Sequence, residues 1–170
     1  MQIVVWQGDI TRCEGVDAVV NAANEALAAG GGVCGAIFRA AGDQELSAAC
    51  GALGGCATGD AKVTPAFALA RHGITSIVHA VGPRWHGGDH GEPELLASAY
   101  RRAMEVAAGT GARSVAFPMI SAGIYGYPAD EAAEIGVRAI KASGAAIDRV
   151  VLVAYDEEAA VVWERAIGEA

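Results

Sequence analysis

The stretch NAANEALAAGGGVCGAIFRAAG, residues 21–42, decides how the rest of the chain is read. Asn21 and Asn24 close an apolar run. Gly30, Gly31 and Gly32 follow, and a helix-like segment begins at Val33. Consecutive glycines reach backbone conformations closed to other residues and let a ligand approach the main chain. A helix start adds unpaired N–H groups and the positive end of a dipole, which favour an anion by ~0.3–1 kcal/mol per charge, up to ~2 when partly buried. The stretch reads as a strand end, an anion-binding loop and a helix. It is not a Walker A loop, because no Lys-Ser/Thr pair ends it. Nor is it the dinucleotide fingerprint, which follows a first strand.

Outward from this loop, short apolar runs alternate with helix-like segments. The runs are 2–6, 17–22, 76–81, 114–120 and 149–155, with a weaker strand over 60–64. They are nearly continuous in apolar residues, as strands covered on both faces are. Helices are predicted over Val33–Ala41, Asp43–Leu53, Glu94–Ala108, Ala129–Ala142 and Glu157–Ile167, with Asp43 as a cap and Pro128 suited to a first turn. The alternation predicts an α/β fold, a three-layer α/β/α sandwich around a mixed, largely parallel sheet. The 170 residues fit one domain spanning 1–170. WHGGDHGEP, residues 85–93, reads as an irregular surface loop.

Composition narrows the function. With 53% hydrophobic and 19% charged residues, the chain is not a disordered one. A net charge of −8 argues against gripping nucleic acid through bulk electrostatics, yet leaves backbone binding of phosphate open. No signal-peptide pattern opens the sequence and no apolar run is long enough for a membrane span, so the expected place is the cytoplasm. Cys13, Cys34, Cys50 and Cys56 follow no metal or disulfide spacing.

Ligands of open parallel sheets bind beyond the carboxyl ends of the strands. There, QGDIT (7–11) places Asp9 as a turn cap or as an acceptor for an exocyclic amine. ISAGIYGYP (120–128) is a second glycine loop leading into a helix, so two phosphate cradles flank one cleft and suggest a diphosphate. Tyr155 ends the last strand, where it either packs or stacks on a base. His79, within an apolar strand, reads as a core histidine. His86, Asp89 and His90 read as a solvated loop rather than a metal site. Nothing locates Lys62 or Arg84 at a ligand.

GDIT (8–11), NAAN (21–24), GGGVCGAI (30–37), GDAKVT (59–64), IVHAVGP (77–83) and SAGIYGYP (121–128) together resemble the macrodomain family of ADP-ribose-binding proteins, and within it the MacroD-type branch. The resemblance covers nearly the whole chain. It implies that Asp9 binds the adenine amine with the Ile10 amide nearby, and that Tyr155 lies against the base. Gly32, Val33 and the helix start at Gly35 take one side of the diphosphate. Ser121, Ala122, Gly123, Ile124 and Tyr125 wrap the other. Asn24 bonds the distal ribose, and Asn21 supports the loop. The implied activity is hydrolysis of ADP-ribosyl esters, either O-acetyl-ADP-ribose or mono-ADP-ribosylated Asp and Glu, without metal or other cofactor. The expected partner is the ADP-ribosylated substrate alone, with no nucleic acid, no membrane and a monomeric state.

One departure matters. MacroD-type hydrolases usually carry Asp where this chain has Cys34, and commonly His where it has Phe38. A thiol, with a reference pKa of ~8.5 against ~3.9 for Asp, is a poor base, and base help is worth ~10²–10⁴ in rate. Three readings stay open. Asn24 and Gly32 sustain hydrolysis by positioning, with a substrate phosphate assisting. Alternatively, the chain is an ADP-ribose reader with little turnover. Thirdly, Cys34 is itself a nucleophile or redox group, favoured by a helix N-terminus; against this stands Cys34 as a small apolar filler.

Overall fold

Val19, Ile77, Ala116 and Val151 point to one face of a sheet, while their chain neighbours Val20, Val78, Val115 and Leu152 point to the other. Both sets are buried. That two-sided burial explains why the strands read as unbroken apolar runs. A computed structural model describes all residues, 1–170. Its strands are β1 (Gln2–Gln7), β2 (Ala18–Ala22), β3 (Ala61–Pro65), β4 (Ser76–Ala80), β5 (Ser114–Phe117) and β6 (Arg149–Ala154). They form one sheet in the order β1-β6-β5-β2-β4-β3. Only the edge pair β3–β4 is antiparallel.

The helices are α1 (Gly32–Ala41), α2 (Asp43–Leu53), α3 (Glu92–Gly109), α4 (Ala129–Ala142) and α5 (Glu157–Glu169). Leu96, Tyr100, Val137, Ile140 and Trp163 bring α3, α4 and α5 onto one face. Ile37, Phe38 and Leu46 bring α1 and α2 onto the other, with the short 3-10 turns Ile10–Arg12 and Phe67–His72. The expected sandwich is therefore the observed one. No helix is long and apolar enough to cross a membrane.

Boundaries moved where local chemistry decided them. The strand expected over 114–120 stops at Phe117, because Pro118 has no N–H to continue the ladder. The weak strand is real and runs Ala61–Pro65. Gly42, at φ 109°, rather than Asp43 forms the cap between α1 and α2, and Asp43 instead supplies negative charge to the first turn. Pro128 precedes α4 as its cap residue. The 3-10 turn Phe67–His72 was not foreseen, since it has neither helical length nor periodicity.

Tyr100 anchors the loop that follows β5. The Tyr100 hydroxyl donates to Pro118 O at 3.3 Å and accepts from Ile120 N–H at 3.0 Å, fastening the loop after β5 to α3. Gly136 on α4 makes room for that ring: a Cβ there would lie 2.7 Å from Tyr100 Cζ.

Candidate functional site

β1 and β6 are parallel neighbours, so their carboxyl ends emerge side by side, and Gly8 N–H donates to Ala154 O at 2.8 Å. The next residues are Asp9 on one strand and Tyr155 on the other. Asp9 Oδ1 caps the turn, accepting from Thr11 N–H at 2.9 Å and the Thr11 hydroxyl at 2.7 Å. Its exposed carboxylate keeps Oδ2 free, and the adjacent Ile10 N–H has no partner within the chain. Acceptor and donor thus stand side by side, matching the amine and ring nitrogen of adenine's edge. The cap and amine-acceptor roles of Asp9 are compatible, because they use different oxygens. Tyr155 is 82% exposed, so its ring is not packed into the core and is available for stacking.

β2 and β5 are also neighbours, which brings the two glycine loops together. In the first loop, Gly32 at φ +57° turns the chain into α1. The helix starts there, leaving the amides of Gly32, Val33 and Cys34 without helical acceptors. Gly35 has a different role from the one expected: its N–H already donates to Gly31 O at 3.3 Å. A Cβ on Gly35 would come within 2.4 Å of Gly30 O, so this glycine permits close packing of loop on helix.

The second loop crosses the same cleft. Ser121 holds φ +69°, a conformation that costs a non-glycine residue roughly 1–3 kcal/mol. Its Oγ is buried without a partner. The amides of Ser121, Gly123, Ile124 and Tyr125 form no hydrogen bond within the chain, whereas Ala122 N–H donates to Met119 O at 3.3 Å. Four unspent donors on one turn are an anion cradle. Ala122 contributes shape rather than its N–H. Ile124, 78% exposed, reaches across to the other loop, with Cδ1 3.3 Å from where a Gly31 Cβ would stand.

Asn24 is tied more tightly than the sequence suggested. Its Nδ2 donates to Ala28 O at 2.9 Å and its Oδ1 accepts from Ala28 N–H at 3.0 Å. One amide proton and one lone pair remain for a ligand. Below it, Cys34 is buried; its thiol donates to Ala28 O at 3.6 Å and accepts from Asn21 Nδ2 at 3.7 Å. A thiol held as donor and acceptor is a neutral peg under the loop, which argues against the nucleophile reading. Asn21 Nδ2 also lies 3.1 Å from His79 Nδ1, and Thr64 Oγ1 lies 2.9 Å from Nε2. Burial lowers the His79 pKa to about 4, so the ring is neutral, as a core histidine should be. Cys50 Sγ lies 3.7 Å from His79 Nε2, and burial, reinforced by nearby Cys34, raises its thiol to about 11.

Sequence reasoning missed the wall beyond Asn24. A cavity of about 380 Å³ opens between Asn24, Tyr125, Arg84, His86 and His90. Arg84 stands over the Tyr125 ring, its Cζ 4.5 Å from the centroid. The segment 85–93 is organised by one residue, buried Glu92, which accepts from the amides of His86 at 3.0 Å, Gly88 at 2.8 Å and His90 at 2.5 Å. Burial alone would raise the Glu92 pKa, but these donors and its own amide outweigh it and bring the value to about 2. The only signal in the sequence was a glutamate following three glycines, which also describes many solvated loops. Lys62 has a structural role, donating to Leu53 O at 3.1 Å and to Gly55 O.

Comparisons with known proteins place the chain in a family. The Macro domain family profile matches residues 20–136. A Macro domain-containing protein of Mesorhizobium japonicum is 49% identical over 170 residues, covering 98% of this chain and 93% of its own. The O-acetyl-ADP-ribose deacetylase of Klebsiella pneumoniae is 47% identical over 171 residues, covering 97% and 95%. Among solved structures, a variant of the Oceanobacillus iheyensis macrodomain with ADP-ribose superposes with a TM-score of 0.88 at 35% identity, covering 98% of this chain and 91% of that one.

Proposed function

The chain belongs to the Macro domain family, and from that premise we propose that it binds ADP-ribose and hydrolyses ADP-ribosyl esters. The observation that carries this reading is the pair of facing loops with unspent amides, Gly32 to Cys34 and Ser121 with Gly123 to Tyr125. They suit a diphosphate. Asp9 and Ile10 suit adenine at one end, with Tyr155 against the ring, and Asn24 suits the distal ribose at the other. The similarity to a named O-acetyl-ADP-ribose deacetylase supports the ester as substrate.

Hydrolysis adds one water across the ester. The ribose regains its hydroxyl, and the acyl group leaves as a carboxylate. Positioning supplies much of the rate in this reading: reactants held in attack geometry gain up to ~7–11 kcal/mol over free encounter. Cys34 supplies no base in its hydrogen-bonded thiol form. The remaining proton of Asn24 Nδ2 orients ribose or water, and a substrate phosphate takes the proton. Gly32 shapes the turn that presents the diphosphate amides.

A second reading follows from Cys34: a binder of ADP-ribose without turnover. Release of ADP-ribose from a glutamate-linked mono-ADP-ribosylated protein separates the two, run with wild type and Cys34→Asp, and with ADP-ribose affinity measured for both. Turnover by wild type supports the hydrolase. Turnover only by Cys34→Asp establishes the reader. Absence of ADP-ribose binding by wild type removes both.

A further inference from the structure

The groove assigned to ADP-ribose ends at Asn24, but the concave surface does not. The cavity of about 380 Å³ continues from Asn24 and Tyr125 to Arg84, His86, His90 and Thr58. Nothing in the ADP-ribose reading uses this wall. It is also built rather than incidental. Trp85 N–H donates to Tyr125 O at 2.8 Å, latching the wall to the second glycine loop. Trp85 and Tyr127 pack with ring centroids 4.6 Å apart and planes tilted by 54°. The Glu92 knot fixes the backbone of His86 and His90, whose rings meet edge-on at 5.9 Å.

We propose that this cavity is an acceptor subsite for a peptide bearing an esterified acidic side chain, and that Arg84 selects peptide-linked esters over small acyl esters. The inference rests on the ester-hydrolase reading. Volume is the first support: a water occupies about 30 Å³ in the liquid, so the three heavy atoms of an acetyl group leave most of the cavity unfilled. Lining is the second, since only two of eleven lining residues are hydrophobic. The charged groups are Arg84, Glu25 and Glu92, and the Glu92 oxygens are occupied by loop amides. Arg84, with its Cζ over the Tyr125 ring, is the only arginine or lysine of the lining and so the group there suited to a carboxylate released beyond Asn24. Thr58 and the two imidazoles offer donors and acceptors to peptide backbone. Glu25, on the same wall, disfavours a second carboxylate on its side, so the preference is for one acidic side chain in a polar peptide rather than an acidic tract.

The test compares a glutamate-linked ADP-ribosyl peptide with O-acetyl-ADP-ribose, in wild type, Arg84→Ala, Arg84→Lys and His86→Ala/His90→Ala. Arg84→Ala is expected to lower kcat/KM for the peptide about tenfold or more, the loss that truncating a hot-spot arginine gives. Activity on the acetyl ester and ADP-ribose affinity should stay unchanged, and Arg84→Lys should recover part of the loss. Equal losses on both esters, or none on the peptide, overturn the proposal. If wild type cleaves neither ester, the hydrolase reading fails but the subsite is still tested. The intact ADP-ribosyl peptide should then bind more tightly than ADP-ribose, and Arg84→Ala should erase that difference. Equal affinities in wild type overturn it.

Discussion

The Asn21 amide nitrogen stands 3.1 Å from Nδ1 of His79, its register partner on the adjacent strand. An amide nitrogen only donates, so Nδ1 accepts and the ring proton lies on Nε2, facing Thr64 Oγ1 at 2.9 Å. The same Asn21 nitrogen reaches Cys34. A neutral histidine therefore underpins the loop that carries the site.

This makes stability pH-dependent in one direction. The folded pKa of His79, about 4, lies below the ordinary 6.5, so the unfolded chain takes up this proton first. The contribution is intact above pH 6.5 and is lost as pH falls from 6.5 toward 4, by roughly 3 kcal/mol in all. Urea unfolding across this range is the check. His79→Gln should show a smaller decline than wild type between pH 6.5 and 4, and parallel curves would show that His79 does not titrate as described.

Glu92 offers a test of the organised loop. Glu92→Ala removes the acceptor shared by His86, Gly88 and His90 N–H groups. Hydrogen exchange at those three amides should accelerate strongly, while the β6 amides exchange as before. ADP-ribose affinity should change little, because the knot lies outside the assigned groove.

The glycines separate by surroundings. Gly35→Ala drives a Cβ to 2.4 Å from Gly30 O, and overpacking of this kind costs about 1–3 kcal/mol. ADP-ribose binding should weaken with it, since the displaced carbonyl belongs to the first glycine loop. Gly51→Ala, on the exposed side of α2 with nothing within 4 Å, should instead stabilise the fold by about 0.5–1 kcal/mol. Thermal unfolding of the two variants reads both signs.

Gly123 tests the anion cradle by charge. A Cβ there meets no other part of the chain within 4 Å, so Gly123→Ala should fold normally. Gly123→Glu adds a carboxylate among the unspent amides and should nearly abolish ADP-ribose binding in calorimetry. Retained binding would move the diphosphate elsewhere.

Asp9→Ala should weaken ADP-ribose binding by about 1.5–3 kcal/mol, the worth of a hydrogen bond to a charged group. The Thr11 cap is lost too, so Asp9→Asn, which keeps an oxygen for Thr11, separates cap from ligand contact. Affinity for adenosine-free ribose phosphate should not change in either variant.

What the sequence by itself determined is local. Unbroken apolar runs fixed which segments are strands, because two-sided burial leaves no room for alternation. NAAN, the glycine triplet and SAGIYGYP identified the loops, because only such residues permit exposed amides and tight turns there. Charge and cysteine spacing limited the ligand classes. Tertiary structure alone decided the rest, since it depends on partners far apart in the chain. The β2–β4 register set Asn21 beside His79 and made Cys34 a bonded peg rather than a free thiol. The Trp85 N–H bond to Tyr125 O joined two loops remote in sequence, and Arg84 came to stand over the Tyr125 ring. A sequence pattern records what a residue tolerates locally; which loops stand beside one another is settled only when distant segments meet.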